Sequence, residues 1–497
     1  MESLFENIVY QLTYHPDEPL LFSSGLFLFL FLAFSFVYML LSRVRTLRLL
    51  FVTAFSYYFY YKSSGLYFGL LALVTLSDFI IARGIATSQQ RFSKKYAAQM
   101  LVFLSLLIDL GMLGYFKYTN FFCGMWAQMV GNNFQPYDIF LPVGISFFTF
   151  QSMSYVIDVY RGRLKPLSSL LDYAFYVSFF PQLVAGPIVR AHDFVPQIRK
   201  TVEISQDMFA RGVYFVMIGL FKKAVISDYI SLNFVDRIFD NPSLYTGVEN
   251  LLGVYGYTLQ IYCDFSGYSD MAIGIALLLG FRFPMNFNAP YKAESISDFW
   301  RRWHISLSLW IRDYIYISLG GNRKGRVRTY INLMITMLLA GLWHGASLNF
   351  VAWGGIHGVA LAIHKWIRTN VFHHDKDYRS HGIKRFLAAI VTFHFVAFCW
   401  IFFRNNTFAD SEMMLTRIVC DFHSEIFMDV VMGYKYVLGF IGFGYLTHYL
   451  PDSWQEFLIK VLRKGGVLLC AITLTVVIYM VIQVKSSNIQ PFIYFQF

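Results

Sequence analysis

Charge is scarce in this chain. Asp, Glu, Lys and Arg make up 14% of its 497 residues, against 57% hydrophobic residues. A soluble protein carries about 25% charged residues, so a globule of this size would lack the polar groups to cover itself. That shortage excludes a soluble multidomain protein and makes lipid the main solvent. Cysteine is as sparse: Cys123, Cys263, Cys399, Cys420 and Cys470 show no CxxC or other metal-ligand spacing. Neither a disulfide framework nor a metal site is indicated, and most of the five sit in apolar runs, where a small buried thiol is expected. GxSxG, Walker, HExxH and EF-hand patterns are absent. With no internal repeat, Pro/Ser-rich linker or low-complexity tract, residues 1–497 read as a single membrane-embedded domain.

What the chain has is apolar length and rings, with 53 Phe, 34 Tyr and 9 Trp. About 20 apolar residues in helix cross a hydrocarbon core roughly 30 Å thick. The stretches 22–41, 141–157 and 467–484 approach that length without a charge. Further spans are expected near 47–61, 66–83, 97–116, 173–187, 212–226, 251–281, 330–343, 348–366, 386–403 and 434–450. The expectation is an all-α polytopic membrane protein with roughly 11–14 membrane segments. The net charge of +11 is the ordinary excess of Lys and Arg in cytoplasmic loops, and nothing resembles a nucleic-acid-binding module. The leading tail is acidic (Glu2, Glu6, Asp17, Glu18) and does not read as a cleavable signal. Arg43, Arg45 and Arg48, then Arg91, Lys94 and Lys95, then Arg161, Arg163 and Lys165 mark alternate loops as internal, which puts the N-terminus outside.

From about 140 to 366 the texture changes, with charged, histidine and glycine residues inside or beside apolar runs, where facing lipid would be costly. Segment 299–314, FWRRWHISLSLWIRDY, is amphipathic at helical spacing. Trp300, Trp303, Leu307, Trp310 and Tyr314 fall on one face of such a helix; Arg301, His304, Ser308 and Arg312 fall on another. An interfacial helix explains this pattern, as does a wet cavity in which cationic groups hold an anionic nucleotide thioester. Segment 341–347, GLWHGAS, ends an almost uncharged run. A histidine there, flanked by Gly341 and Gly345, is poorly explained by packing. Glycine lets substrate or backbone approach closely, and imidazole can take a proton near neutrality. His357 and His364 share a face of the next helix as supporting groups or core histidines.

Two further segments stand out. FFPQLVAGPIVRA (179–191) must break or re-enter, because Pro181, Gly186 and Pro187 interrupt an apolar run. YCDFSGYSDMAIG (262–274) buries Asp264 and Asp270, which need partners such as Arg301, Arg302 or a histidine. The polar stretch 368–384, with paired His373 and His374, reads as a solvated loop.

FWRRWHISLSLWIRDYIYISLGGNRKG (299–325), followed by GLWHGASLNFVAWGGIHG (341–358), resembles the membrane-bound O-acyltransferase (MBOAT) family. PVGISFFTFQSMSYVIDVYRG (142–162), FFPQLVAGPIVRA and DFSGYSDMAIGIALLLGFRFPMNFNAPY (264–291) are similar to its bacterial branch, whose members O-acetylate alginate or transfer D-alanine to teichoic acid. The C-terminal PFIYFQF resembles the aromatic tails of the alginate type. The resemblance implies a ring of membrane helices around a thin central region, with funnels from both faces meeting at a near-invariant histidine. That histidine matches His344, and a second active-site position matches His304.

The implied reaction is acyl transfer from a thioester to a hydroxyl, which needs a base for the hydroxyl proton and a stabiliser for the oxyanion. His344 is the expected base; His304 is expected to orient donor or acceptor, or to hydrogen-bond the oxyanion. Arg301, Arg302 and Arg312 are expected to hold donor phosphates. No nucleophile adjoins His344 in sequence, so direct transfer is favoured, with Cys263 the remaining candidate for a covalent route. The resemblance implies cytosolic acetyl-CoA as donor substrate, no permanently bound cofactor, and an extracytoplasmic SGNH-type transferase or esterase as partner. The setting is a bacterial cytoplasmic (inner) membrane, and the product an O-acetylated envelope polysaccharide. D-Alanyl transfer from a carrier protein to teichoic acid is the alternative. A transporter is the competing class, and no inverted repeat supports it.

Overall fold

A chain in lipid must satisfy its backbone polar groups internally, and for apolar runs of this length the helix is the local solution. The computed structural model describes residues 2–16, 18–91, 95–373 and 381–484. It is 79% helical, and the described residues contain no strand. Loop positions 92–94, with Lys94, and positions 374–380 of the polar stretch lie outside the described residues, as does the aromatic C-terminal tail.

Four described helices are long and apolar enough to cross a membrane: Arg45–Gln90, Lys95–Met129, Gly382–Arg404 and Asp452–Val484. A fifth span arises if Ser424–Gly433 and Lys435–Tyr449, bent by 91°, count as one. The larger count expected from composition included shorter and interrupted runs. Gly25–Leu41 is apolar but has 17 residues, the run after 141 forms helix only from Ile145 to Tyr160, and 173–187 is divided at Phe179 and again after Leu183.

The chain forms two compact units, Met1–Val216 with Tyr268–Pro284, and Met217–Gly267 with Met285–Phe497. In the first, Phe180 is packed by Phe34, Phe55 and Phe59 at centroid distances of 5.5, 5.1 and 5.8 Å, and such rings bury the largest apolar areas per residue. Its polar interior is hydrogen-bonded: Asp78 accepts from Ser105 Oγ at 2.7 Å and from Ser152 Oγ. The expected break at 179–191 is present. Backbone from Val184 to Val189 is irregular and buried, tied by the Tyr176 hydroxyl donating to Val189 O at 3.1 Å. A side chain at Gly186 would run into Gln182 Cα at 2.5 Å. Irregular backbone at depth persists where protein covers it.

In the second unit, helices Arg326–His344 and Leu348–Asn370 form a hairpin, with Ser347 capping the latter through Phe350 N. A Cβ on Gly341 would sit 2.2 Å from Phe350 O, and one on Gly354 2.3 Å from Met337 O. Small residues facing each other let two backbones touch, a common packing device in membranes. Gly382–Arg404 comes after the hairpin. Lys223 is buried between Asp228 and Asp264, at 2.7 and 2.5 Å.

Candidate active site

The segment expected to be one amphipathic helix is two. Ile296–Arg302 ends at Trp303, and a new helix runs Ile305–Ile311 before one π-helical turn, Arg312–Tyr316. The break is at His304, whose φ of 42° and ψ of 55° lie in the left-handed region. For a residue with a Cβ this costs about 1–3 kcal/mol and persists only where surroundings enforce it. Here they do: Asn286 Oδ1 accepts from Ser306 N at 3.2 Å, from Ser306 Oγ at 2.9 Å and from the His304 ring at 3.2 Å. Because the two serine groups can only donate to it, that oxygen is an acceptor and the ring partner must be Nδ1–H. In neutral His304 the lone pair therefore lies on Nε2.

The break separates residues that regular helical spacing groups together. His304 is fully buried, edge-on to Phe265 at 4.6 Å and next to Trp343 at 6.0 Å. Arg301, Ser308 and Arg312 instead line a cavity of about 370 Å³. His344, at the last position of its helix, is 2% exposed. Its ring lies 4.9 Å from Trp343, 5.1 Å from Trp353 and 5.1 Å from Phe403. Trp343 thus contacts both histidines. The glycines flanking His344 serve packing: the space beside Gly341 is taken by the facing helix, and that beside Gly345 by the Phe350 ring, 2.0 Å from a Cβ there.

The cavity wall carries Arg301, Arg312, Lys365 and Arg368 with Trp300 and Ser297, and no carboxylate is among its lining residues. Lys365 Nζ donates to Asn322 Oδ1 at 2.9 Å, and Arg312 Nε to Asp313 at 2.6 Å. Arg368 Nε is buried without a hydrogen-bond partner. Arg302, grouped with Arg301 and Arg312 from sequence, is not in this wall. Its guanidinium binds Asp298 at 2.9 Å and Asn288 O at 3.2 Å, because adjacent helical residues point about 100° apart. Lys365 and Arg368 were missed from sequence. Their signal was the spacing 361, 365 and 368, but the expected helix stopped at 366, whereas it runs to Asn370.

Asp264 is paired with Lys223, not with Arg301, Arg302 or a histidine as expected; Lys223 lies on a separate helical segment whose approach has no local signature. His364 meets Ser297 Oγ at 3.0 Å, a partnered interior histidine. Cys263 is buried at 2% exposure.

Comparison with known proteins places these motifs. Residues 57–402 match the model of the membrane-bound O-acyltransferase family. A probable alginate O-acetylase of Pseudomonas aeruginosa is 42% identical over 389 residues, 78% of this chain and 72% of that protein. A peptidoglycan O-acetyltransferase of Helicobacter pylori is 36% identical over 390 residues, 73% of this chain and 72% of that protein. A teichoic acid D-alanyltransferase of Bacillus subtilis is 30% identical over 291 residues, 55% of this chain and 71% of that protein. The buried histidines, the helix hairpin and the apolar helices all fall within the matched region, and the chain belongs to the membrane-bound O-acyltransferase family.

Proposed function

We propose that this membrane O-acyltransferase moves an acetyl group from a cytosolic thioester across the bacterial inner membrane for O-acetylation of an envelope polysaccharide. The observation that carries the reading is the meeting of His344 and His304 on Trp343 within an interior otherwise built of aromatic rings. Its similarity to O-acetylating relatives of alginate and peptidoglycan supports acetyl as the group.

In this mechanism His344 takes the proton of the accepting hydroxyl as that oxygen attacks the thioester carbonyl. The thiolate leaves and the proton is returned to it, so one ester forms as one thioester breaks. His304, with Nδ1–H held by Asn286, presents its Nε2 lone pair to the accepting hydroxyl and positions it. The apolar surroundings exclude bulk water that would hydrolyse the thioester. Arg301 and Arg312, joined by Lys365 and Arg368, hold the phosphates of acetyl-CoA through charge-assisted bonds. The fold acts as one membrane-embedded catalytic domain with its active-site core at about 140–366 and its N-terminus outside. It hands acetyl to an extracytoplasmic SGNH-type partner without an acyl-enzyme on Cys263.

The test is base-labile acetate in the envelope polysaccharide of cells carrying the wild type or His344→Ala at equal membrane abundance. Acetate present in the first and lost in the second is expected. Full acetylation by the variant would remove His344 as base. Base-labile D-alanine in place of acetate would instead establish the carrier-protein reading, which the Bacillus relative keeps in view.

A further inference from the structure

His357 has no role in this acyl transfer. It is fully buried, and neither ring nitrogen has a hydrogen-bond partner among the described residues. Its neighbours are rings: Trp353 at 4.8 Å, Trp300 at 5.2 Å and Phe395 at 5.7 Å edge-on, and Phe299 stacked at 6.2 Å. The indole Nε1 atoms of Trp300 and Trp353 are buried and unpartnered as well. Folded proteins leave few buried donors unsatisfied, because each is costly, and such groups call for an explanation. A packing role would be filled as well by phenylalanine, with no polar atom to satisfy. Seven residues along the same helix, His364 has a serine partner, so the deficiency is local.

The three side chains also lie between the two parts of the site. Trp300 lines the cationic cavity and touches Trp353 at 5.7 Å. Trp353 in turn touches His344 at 5.1 Å. A donor whose phosphates sit in the cavity and whose thioester reaches His344 has to pass this wall.

We propose that Trp300, Trp353 and His357 form a subsite for the amide-bearing pantetheine arm of the acyl donor, an inference that rests on the cavity taking the donor's phosphates. The arm is largely apolar but carries two amides, each with one carbonyl acceptor and one N–H donor. The indoles donate to the carbonyls. Neutral imidazole, with one donating and one accepting nitrogen, accepts from an amide N–H. A purely aliphatic chain would leave all three groups unsatisfied, and a phosphate is better served by the arginines.

The test uses the full-length protein in detergent and calorimetric binding of three probes: coenzyme A, adenosine 3′,5′-bisphosphate, which lacks the arm, and pantetheine 4′-phosphate. Wild type is expected to bind coenzyme A more tightly than the bisphosphate. In Trp353→Phe and His357→Phe that advantage falls roughly tenfold, about the loss of one net hydrogen bond, while bisphosphate affinity is unchanged. His357→Gln, which can still accept and donate, recovers part of it and remains informative if His357→Phe fails to fold. The same variant pattern with pantetheine 4′-phosphate, without extra affinity for coenzyme A, keeps the subsite and assigns the arm to a carrier protein. An unchanged coenzyme A advantage in every variant overturns the subsite and leaves the cavity standing. Parallel loss of both affinities makes the residues structural and overturns it too. No bisphosphate binding to wild type, with arm-bearing probes still sensitive to the variants, overturns the cavity reading instead.

Discussion

Lys223 and His357 are buried polar side chains of the same compact unit, and they are treated in opposite ways. Lys223 has a carboxylate at 2.5 Å and another at 2.7 Å, so its charge is compensated where it stands. His357 has ring faces and edges and no hydrogen-bond partner among the described residues. Compensation marks a group that holds the fold, since removing one partner leaves a stranded charge. Lack of compensation marks a group whose partner arrives with a ligand. By this criterion the Lys223 cluster belongs to the architecture and the Trp300–Trp353–His357 wall to the chemistry.

The sharpest way to break that division is to exchange the expected phenotypes. His344→Ala should lower transfer by about 10²–10⁴-fold, the range for a general base, with melting temperature and membrane abundance unchanged. Rate and thermal-shift measurements on one purified sample check both halves. Lys223→Met should do the reverse, destabilising the fold by about 3–5 kcal/mol through the stranded carboxylates. Adding Asp264→Asn should restore part of the lost melting temperature; no recovery would show that the cluster is not a charge balance.

Gly341→Val tests the hairpin that carries His344. The added atoms meet Phe350 O, 2.2 Å from the Cβ position, and overpacking of this kind costs about 1–3 kcal/mol. Lower abundance with normal activity per folded molecule is expected. His304→Asn and His304→Ala separate backbone from ring. Both lose the imidazole and should slow transfer, but Asn tolerates the left-handed backbone better and should melt at the higher temperature. The smallest effects distinguish neighbouring arginines. Arg368→Ala should raise the donor KM several-fold with little change in kcat. Arg302→Ala, which breaks a pair with Asp298 outside the cavity, should leave the donor KM unchanged and cost below about 1 kcal/mol.

The membrane class, the break near Pro181 and Gly186, and the unusual place of His344 could be read along the chain, because each depends on composition or on a few adjacent residues. A shortage of charge rules out a water-covered globule whatever the fold, and proline interrupts a helix locally. The surroundings of the site were not legible in this way. Regular helical spacing puts His304 on a stripe with Arg301 and Arg312, yet Asn286 holds it in a left-handed turn and sends it into the aromatic interior. The partner of Asp264 is Lys223, and the cationic cavity joins residues from both arms of the hairpin and from the segment before it.

Sequence by itself determined that this chain lives in lipid, forms helices there and belongs with the O-acyltransferases, since those depend on residue types and motifs. Only the tertiary structure decided which polar groups are matched and which are left open. Hydrogen bonds and ion pairs form between side chains far apart in the chain, and their energy depends on distances of a few ångströms that no local pattern encodes.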